Sequence, residues 1–271
     1  MSQTVFITGA STGIGKTTAQ YFQEKGWNVV ATMRTTEKGA ELAELDNVLV
    51  TRLDVLDLAS IEEAVAAGIE RFGKIDALVN NAGYGAYGPL EVFPRENIVR
   101  QFNTNVIGLL DVTRALTPHF RANKSGTIVN ISSIGGRMAF PFGALYHGTK
   151  FAVEGITDAL QWEMAEIGVK VALVEPGAIK TDFGTRSLDF QMDENLTEYL
   201  PLGQKLMAAF DAENMTTSEP EVVAKVIYNA ITDGTDQLRY RAGADAEQLM
   251  DARTAMNDAD FKGMMKQMLS L

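Results

Sequence analysis

The sequence predicts an α/β fold: a doubly wound parallel sheet with helices on both faces, organised as one domain over residues 1–271. Three observations predict it. Short apolar runs rich in β-branched residues alternate with longer segments of helical period, the pattern of a parallel sheet buried by crossover helices. With 271 residues and 46% hydrophobic content, the chain can bury a large core and still fit one α/β unit. No internal repeat, low-complexity tract or Pro/Gly-rich linker divides it.

Taken in order, residues 4–8 read as the first strand. Residues 14–25 read as a helix with Ala19 and Phe22 inward, and Gly26 stands where a left-handed C-terminal cap is needed. The chain re-enters the sheet at 28–33. Further strands are predicted at 48–53, 77–80, 127–132 and 169–175, with helices at 60–72, 99–120 and 146–167. After Gly177 the alternation breaks. Residues 182–215 carry large apolar side chains without a clean period (Phe183, Phe190, Met192, Leu200, Leu202, Met207, Phe210), which predicts a substrate lid rather than a disordered loop. Residues 220–231 read as a helix with Pro in its first turn, 238–240 as a last strand, and 244–271 as a helical tail.

A formal charge of −11 argues against a surface built to neutralise a phosphate backbone, so nucleic acid is not an expected partner. The absence of cysteine removes disulfides, thiolate metal sites and a cysteine nucleophile, which fits a cytoplasmic protein. No basic leader precedes an apolar core at residues 1–9, and no apolar run approaches the roughly 20 residues of a membrane helix. A soluble chain with no membrane contact is expected.

Directly after the first strand comes Thr8-Gly9-Ala10-Ser11-Thr12-Gly13-Ile14-Gly15, leading into a helix. Glycines there let the backbone approach a pyrophosphate, and free N–H groups at the helix start face the anion, as in Rossmann-type dinucleotide sites. An ordinary Gly-rich βα turn is the plainer alternative. Gly13-Ile14-Gly15-Lys16-Thr17 also matches the end of a P-loop, but the opening glycine of that pattern is Ala10 here. At the end of the second strand, where an acidic residue would select NAD, stand Met33 and Arg34. A carboxylate there repels a 2′-phosphate and a guanidinium pairs with it, so NADP(H) is expected in preference to NAD(H), unless Arg34 is simply a solvated side chain.

Together with Asp54-Val55, Asn80-Asn81-Ala82-Gly83, Tyr146-His147-Gly148-Thr149-Lys150 and Pro176-Gly177-Ala178-Ile179-Lys180-Thr181, that glycine turn resembles the short-chain dehydrogenase/reductase family. The resemblance runs from about Thr4 to Thr181. The motifs matter jointly, since Tyr21-Phe22-Gln23-Glu24-Lys25 is a second Tyr-x-x-x-Lys without catalytic company. Ser133 lies thirteen positions before Tyr146, as the family pattern requires, and Asn105 matches its fourth catalytic position, mid-helix, where such a side chain adds little to stability.

Hydride transfer to a ketone needs a proton donor at the developing alkoxide, and the reverse reaction needs the same group as base. Tyr146 is the candidate. A free phenol has a pKa near 10, and Lys150, one turn later on the same face, supplies a cation that favours the phenolate. The alternative is a buried-edge tyrosine beside a snorkelling lysine. The resemblance further implies that Lys150 bonds the nicotinamide ribose, Ser133 donates to the substrate oxygen, and Asn105 holds a relay water. It also implies that Asp54 and Val55 face the adenine, that Asn81, Ala82 and Gly83 lie on the adenosine-ribose side, and that Pro176, Gly177, Ile179 and Thr181 lie by the carboxamide. Asp54 could instead cap the helix that follows.

Neither histidine reads as a metal ligand: His119 ends a helix, where a cation suits the dipole, and His147 has no carboxylate at ligand spacing. No catalytic metal is expected. The twelve methionines read as core and lid filler. The segments expected to flank Tyr146, at 84–87, 138–142 and the lid, are apolar or aromatic, and Arg137 and Arg186 read as isolated solvated residues. A hydrophobic carbonyl compound is the expected substrate: an aryl ketone, a steroid-like or a retinoid-like molecule. Residues 151–181 resemble the hydroxysteroid- and retinol-dehydrogenase branch of the family. Its glycine-rich tetramer-forming ending is replaced by the Met-rich tail, so a homodimer, or a higher homo-oligomer, is expected. The rival function is a catalytically silent NADP-binding regulator.

Overall fold

The computed structural model describes residues 2–209 and 216–271. Strand β1 (Thr4–Ile7) is buried at every position and sits inside the sheet, with a paired strand on each side. Its Val5 and Ile7 join a core with Phe22, Trp27, Val223 and Ile227. Phe6 points the other way into a second core with Ile61, Leu116, Phe120 and Ile128. This two-sided burial is why the strand reads as a continuous apolar run rather than an alternating one.

The chain continues through α1 (Gly13–Glu24), β2 (Asn28–Met33), the short α2 (Ala40–Ala43), β3 (Val48–Arg52), α3 (Leu58–Phe72) and β4 (Ala77–Asn80). Then come β5 (Gly85–Tyr87), α4 (Arg95–Phe102), a π-helical turn at Asn103–Ile107, α5 (Gly108–Asn123), β6 (Gly126–Ile131), α6 (Ala144–Ala165) and β7 (Val169–Pro176). The last part comprises α7 (Phe183–Arg186), β8 (Leu188–Phe190), α8 (Leu200–Ala209), α9 (Pro220–Thr232), β9 (Arg239–Ala242), α10 (Ala244–Ala255) and α11 (Asp258–Met268). Seven strands form one sheet in the order β3-β2-β1-β4-β6-β7-β9, every neighbour parallel. This is the doubly wound, Rossmann-like architecture expected. The order reverses between β1 and β4, and the crevice outside their carboxyl ends is where such sheets take a ligand.

Strand ends fall within a residue or two of expectation, and Gly26 adopts φ +81 as its cap position requires. The helix expected at 99–120 is longer, starting at Arg95 and reaching Asn123 through the π turn. The aperiodic segment after Gly177 is more ordered than an irregular lid. Its β8 pairs with β5 in a separate two-stranded sheet, Gly85 opposite Leu188 and Tyr87 opposite Phe190. The part of that segment holding Phe210 and Met215 lies outside the described residues. The tail is two helices whose Ala246, Met250, Phe261 and Met265 pack with Met138 and Leu206. Among the described residues no helix is long and apolar enough to cross a membrane.

Candidate active site

The glycine turn bends at the end of β1 through Gly9 at φ +69 and Gly13 at φ +53, a region where a side chain would be strained. A Cβ on Gly15 would strike the Gly9 carbonyl oxygen, so α1 can approach the turn only without one. Thr12, the N-cap residue of α1, makes no side-chain cap bond, and the first turn carries no acidic residue. The leading N–H groups of the helix are thus without a capping side chain. From the neighbouring strand, Asn81 donates to Thr8 O at 2.9 Å and Gly9 O at 3.1 Å. Thr8 Oγ1 accepts from Asn81 N and Ala82 N. These bonds lock the turn to the end of β4.

A cleft of about 290 Å³ opens here, lined by Ser11, Thr12, Arg34, Thr35, Lys38, Arg186 and Ser187. Three cations and the glycine turn around one cleft form a donor set that fits a phosphorylated dinucleotide. Arg186, expected to be isolated and solvated, lines this same cleft while pairing with Asp182 at 3.4 Å. The fold returns the chain from β7 across the glycine turn, a proximity invisible in local sequence. Thr181 belongs to the same return, because its side chain is the nearest group to the outward face of Gly13. Arg137 is likewise not isolated: its Nη1 stands 4.0 Å from Glu175.

Asp54 does not cap α3. Asp57 does, accepting from Ser60 N, whereas Asp54 Oδ1 accepts from Leu56 N at 3.0 Å and shapes the turn after β3. Val55 is buried and packs on Gly108 of α5. Gly177 N donates to Ala242 O, Ile179 bridges to Ser218, and Ala178 N donates to Asp245 Oδ2 at 2.6 Å. The Pro176–Thr181 loop is therefore held by β9 and the tail, a support that sequence reasoning missed.

Helix α6 carries Tyr146, Lys150 and Glu154 at successive turns of one face. Tyr146 is buried against the rings of Tyr87 at 5.5 Å and Phe183 at 5.7 Å. Burial pushes its phenol up to about 12, with the Ser133 hydroxyl pulling the other way. The expected depression by Lys150 does not occur in this arrangement. Lys150 Nζ lies 5.8 Å from the ring centroid and donates to Ile131 O at 2.8 Å. Its own ammonium is lowered by burial to about 8, with Glu154 opposing.

Asn105 is buried in the π turn, and its side chain does more structural work than its mid-helix position suggests. Nδ2 donates to Tyr84 O at 2.8 Å and Thr149 Oγ1 at 3.1 Å, and Oδ1 accepts from Tyr84 N. Thr149 Oγ1 in turn donates to Tyr146 O, so Asn105 braces both the segment after β4 and the turn that carries Tyr146. Gly83 lies against its Oδ1.

Both histidines are neutral acceptors rather than cations. His119 Nε2 accepts from Ile75 N at 3.0 Å, and desolvation lowers its pKa, which overturns the dipole reading of that residue. His147 Nε2 accepts from Phe140 N at 3.0 Å, and its Nδ1 faces Gly135 O at 2.9 Å. That pairing fixes the Nδ1–H tautomer and ties the Ser133 loop to α6. Replacing His147 by Leu should leave two buried backbone groups unsatisfied and cost about 1–3 kcal/mol each, read from urea unfolding; an unchanged midpoint would show the loop holds itself. Among the described residues no group of three His, Asp or Glu side chains could hold a metal ion.

The family model described as short chain dehydrogenase matches residues 3–191. The chain belongs to this family. An oxidoreductase of Schizosaccharomyces pombe is 44% identical over 239 residues, 88% of this chain and the whole of that one. Retinol dehydrogenase 16 of Rattus norvegicus is 35% identical over 262 residues, 90% of this chain and 81% of that one. Among solved structures, a short-chain dehydrogenase from Streptomyces avermitilis superposes with TM-score 0.83 at 32% identity, covering 98% of this chain and 96% of that one. ElxO, solved with NADP bound, gives TM-score 0.73 at 30% identity over 89% of this chain and 98% of that one. The protein is an oxidoreductase of the short-chain dehydrogenase type.

Proposed function

We propose that this chain reduces hydrophobic ketones or aldehydes with NADPH, in preference to NADH, using Tyr146 as the proton donor. The observation that carries the reading is the buried phenol of Tyr146, with the Ser133 hydroxyl acting on it and Lys150 one turn away on the same helix. NADPH, when bound, would supply the hydride. The residues do the rest. Ser133 donates to the carbonyl oxygen and stabilises its developing charge. Tyr146, which burial keeps protonated, passes its proton to that oxygen, so the site as it stands favours reduction over oxidation. Lys150 stabilises the phenolate left behind and would bond the nicotinamide ribose. The Asn105 side chain is committed to Tyr84 and Thr149, so a relay water toward Lys150 would hang on the backbone of the π turn.

Ser11, Thr12, Gly13, Ile14 and Gly15 would hold the pyrophosphate, with Gly9 giving the turn. Asp54 and Val55 would face the adenine, Asn81, Ala82 and Gly83 the ribose, and Pro176, Gly177, Ile179 and Thr181 the carboxamide. Arg34, with Lys38 in the same cleft, would take the 2′-phosphate. The aromatic rings of Tyr87 and Phe183 on either side of Tyr146 favour an apolar substrate, and residues 182–215 would serve as its lid. The retinol dehydrogenase relative acts by name on an apolar alcohol, which fits.

The test is NADPH consumption against a panel of hydrophobic ketones and aldehydes, with NADH in parallel; binding of NADPH without turnover on any carbonyl would sink the reading. Arg34→Ala should lower the NADPH-over-NADH preference in kcat/KM by about 10–100-fold, the worth of one charge-assisted contact to phosphate. An unchanged ratio would assign selectivity to Lys38 or Arg186.

A further inference from the structure

Behind Lys150 lies a buried carboxyl pair that the proposed reaction does not use. Glu154 stands on α6 one turn past Lys150, and Glu175 stands near the end of β7; their side chains are 6% and 1% exposed. Arg239 of β9 lies between them, its Nε 3.0 Å from Glu154 Oε2 and 3.7 Å from Glu175 Oε1. That guanidinium also pairs with Asp158 of α6 at 2.7 Å, so it is shared among three acids. The other cations near Glu175 give little more: Arg137 is at 4.0 Å, and Arg241, opposite Glu175 in the strand register, is committed to Glu247 and Asp251.

Oε1 of Glu154, Oε1 of Glu175 and Oγ of Ser132 are all buried with no hydrogen-bond partner among the described residues. Buried acceptors in this state are costly unless a proton is held between them. The cluster also touches the catalytic loop. A Cβ on Gly136 would stand 2.6 Å from Ser132 Oγ, 2.9 Å from Glu154 Cγ and 3.1 Å from Lys150 O. Only glycine there lets Glu154 lie this close to the residue preceding Ser133.

We propose that Glu175 holds a proton in the folded protein because Arg239 is divided among three acids, and that Glu154 is the positioning residue that fixes the charge on Lys150. Two buried carboxyls around one divided cation cannot both ionise cheaply. Burial, and then Glu154, raise Glu175 to about 7 against the pull of Arg137, Arg239 and Arg241. Glu154 is also the group that opposes the burial-driven loss of charge at Lys150. The inference that this matters for catalysis rests on the role proposed above for Lys150; the proton on Glu175 does not.

The test is NMR titration of full-length protein labelled with ¹³C at glutamate carboxyls and lysine Cε, in the wild type and in the isosteric variants Glu154→Gln and Glu175→Gln. NADPH oxidation profiles against pH run in parallel. A glutamate carboxyl titrating near pH 7 in the wild type and missing from Glu175→Gln is expected. The Lys150 titration, assigned by its absence from Lys150→Met, should fall by about one pH unit in Glu154→Gln, as loss of an adjacent opposite charge requires. The alkaline limb of kcat should move with it. Every glutamate titrating below about pH 5.5 would overturn the proton on Glu175. A Lys150 titration unmoved in Glu154→Gln, even with a lowered Tm, would reduce Glu154 to a structural residue. Absence of turnover on carbonyls would count against the proposed reaction alone, because the NMR arms still decide this one.

Discussion

Tyr146→Phe should lower kcat for carbonyl reduction by about 10²–10⁴-fold, the usual contribution of a positioned general acid, while NADPH affinity stays within about twofold. The substitution keeps the ring packed against Tyr87 and Phe183 and removes only the hydroxyl that Ser133 engages. Geometry, lid contacts and the phosphate cleft are untouched, so the loss falls on the proton and not on binding. NADPH titration by fluorescence and kcat by absorbance separate the two. A loss below tenfold would mean that another group delivers the proton, and a matching loss of affinity would mean that the ring had moved.

Lys150→Met is expected to cost about 10²–10³-fold in kcat, the range for removing one preorganised group that stabilises developing charge. It should also abolish the alkaline limb of the pH profile. The ammonium is lowered by burial from 10.5 to about 8, so in the wild type reduction should decline above about pH 8 as the charge opposite the forming phenolate disappears. Stability carries the same signature with a definite sign. Between 8 and 10.5 the unfolded chain holds this proton and the folded chain does not, so the wild type gains stability as pH rises through that window. The variant lacks this slope. A variant that keeps both the alkaline limb and the slope would place the titration elsewhere.

The central sheet and the shared helix face of Tyr146 and Lys150 were legible because each rests on neighbours in sequence. Strand β1 declares itself as an apolar run buried on both faces. Tyr146 and Lys150 fall on one helix face by their four-residue spacing alone, and the glycine turn is needed wherever a strand must pass into a helix around an anion. Asp54 and Asp57 show the limit of such reading. Both sit in front of α3, and only the backbone decides that Asp57 caps the helix while Asp54 shapes the turn. Asn105 was expected as a site residue from the family resemblance, but its bonds to Tyr84 and Thr149, 21 and 44 positions away, carry no local signal.

By itself, the sequence determined the doubly wound α/β fold, the crevice at the glycine turn, and the placing of a phenol and an ammonium on one helix face. Periodicity and short-range spacing express what a few turns of chain must bury or expose. The tertiary structure alone decided that Arg186 shares one cleft with Arg34, that Asp245 supports the loop after β7 from 67 residues away, and that Arg239 joins Glu154 to Glu175. It also decided the protonation of Tyr146, since desolvation depends on which rings close over a group, and those rings arrive from β5 and α7, far from it in sequence.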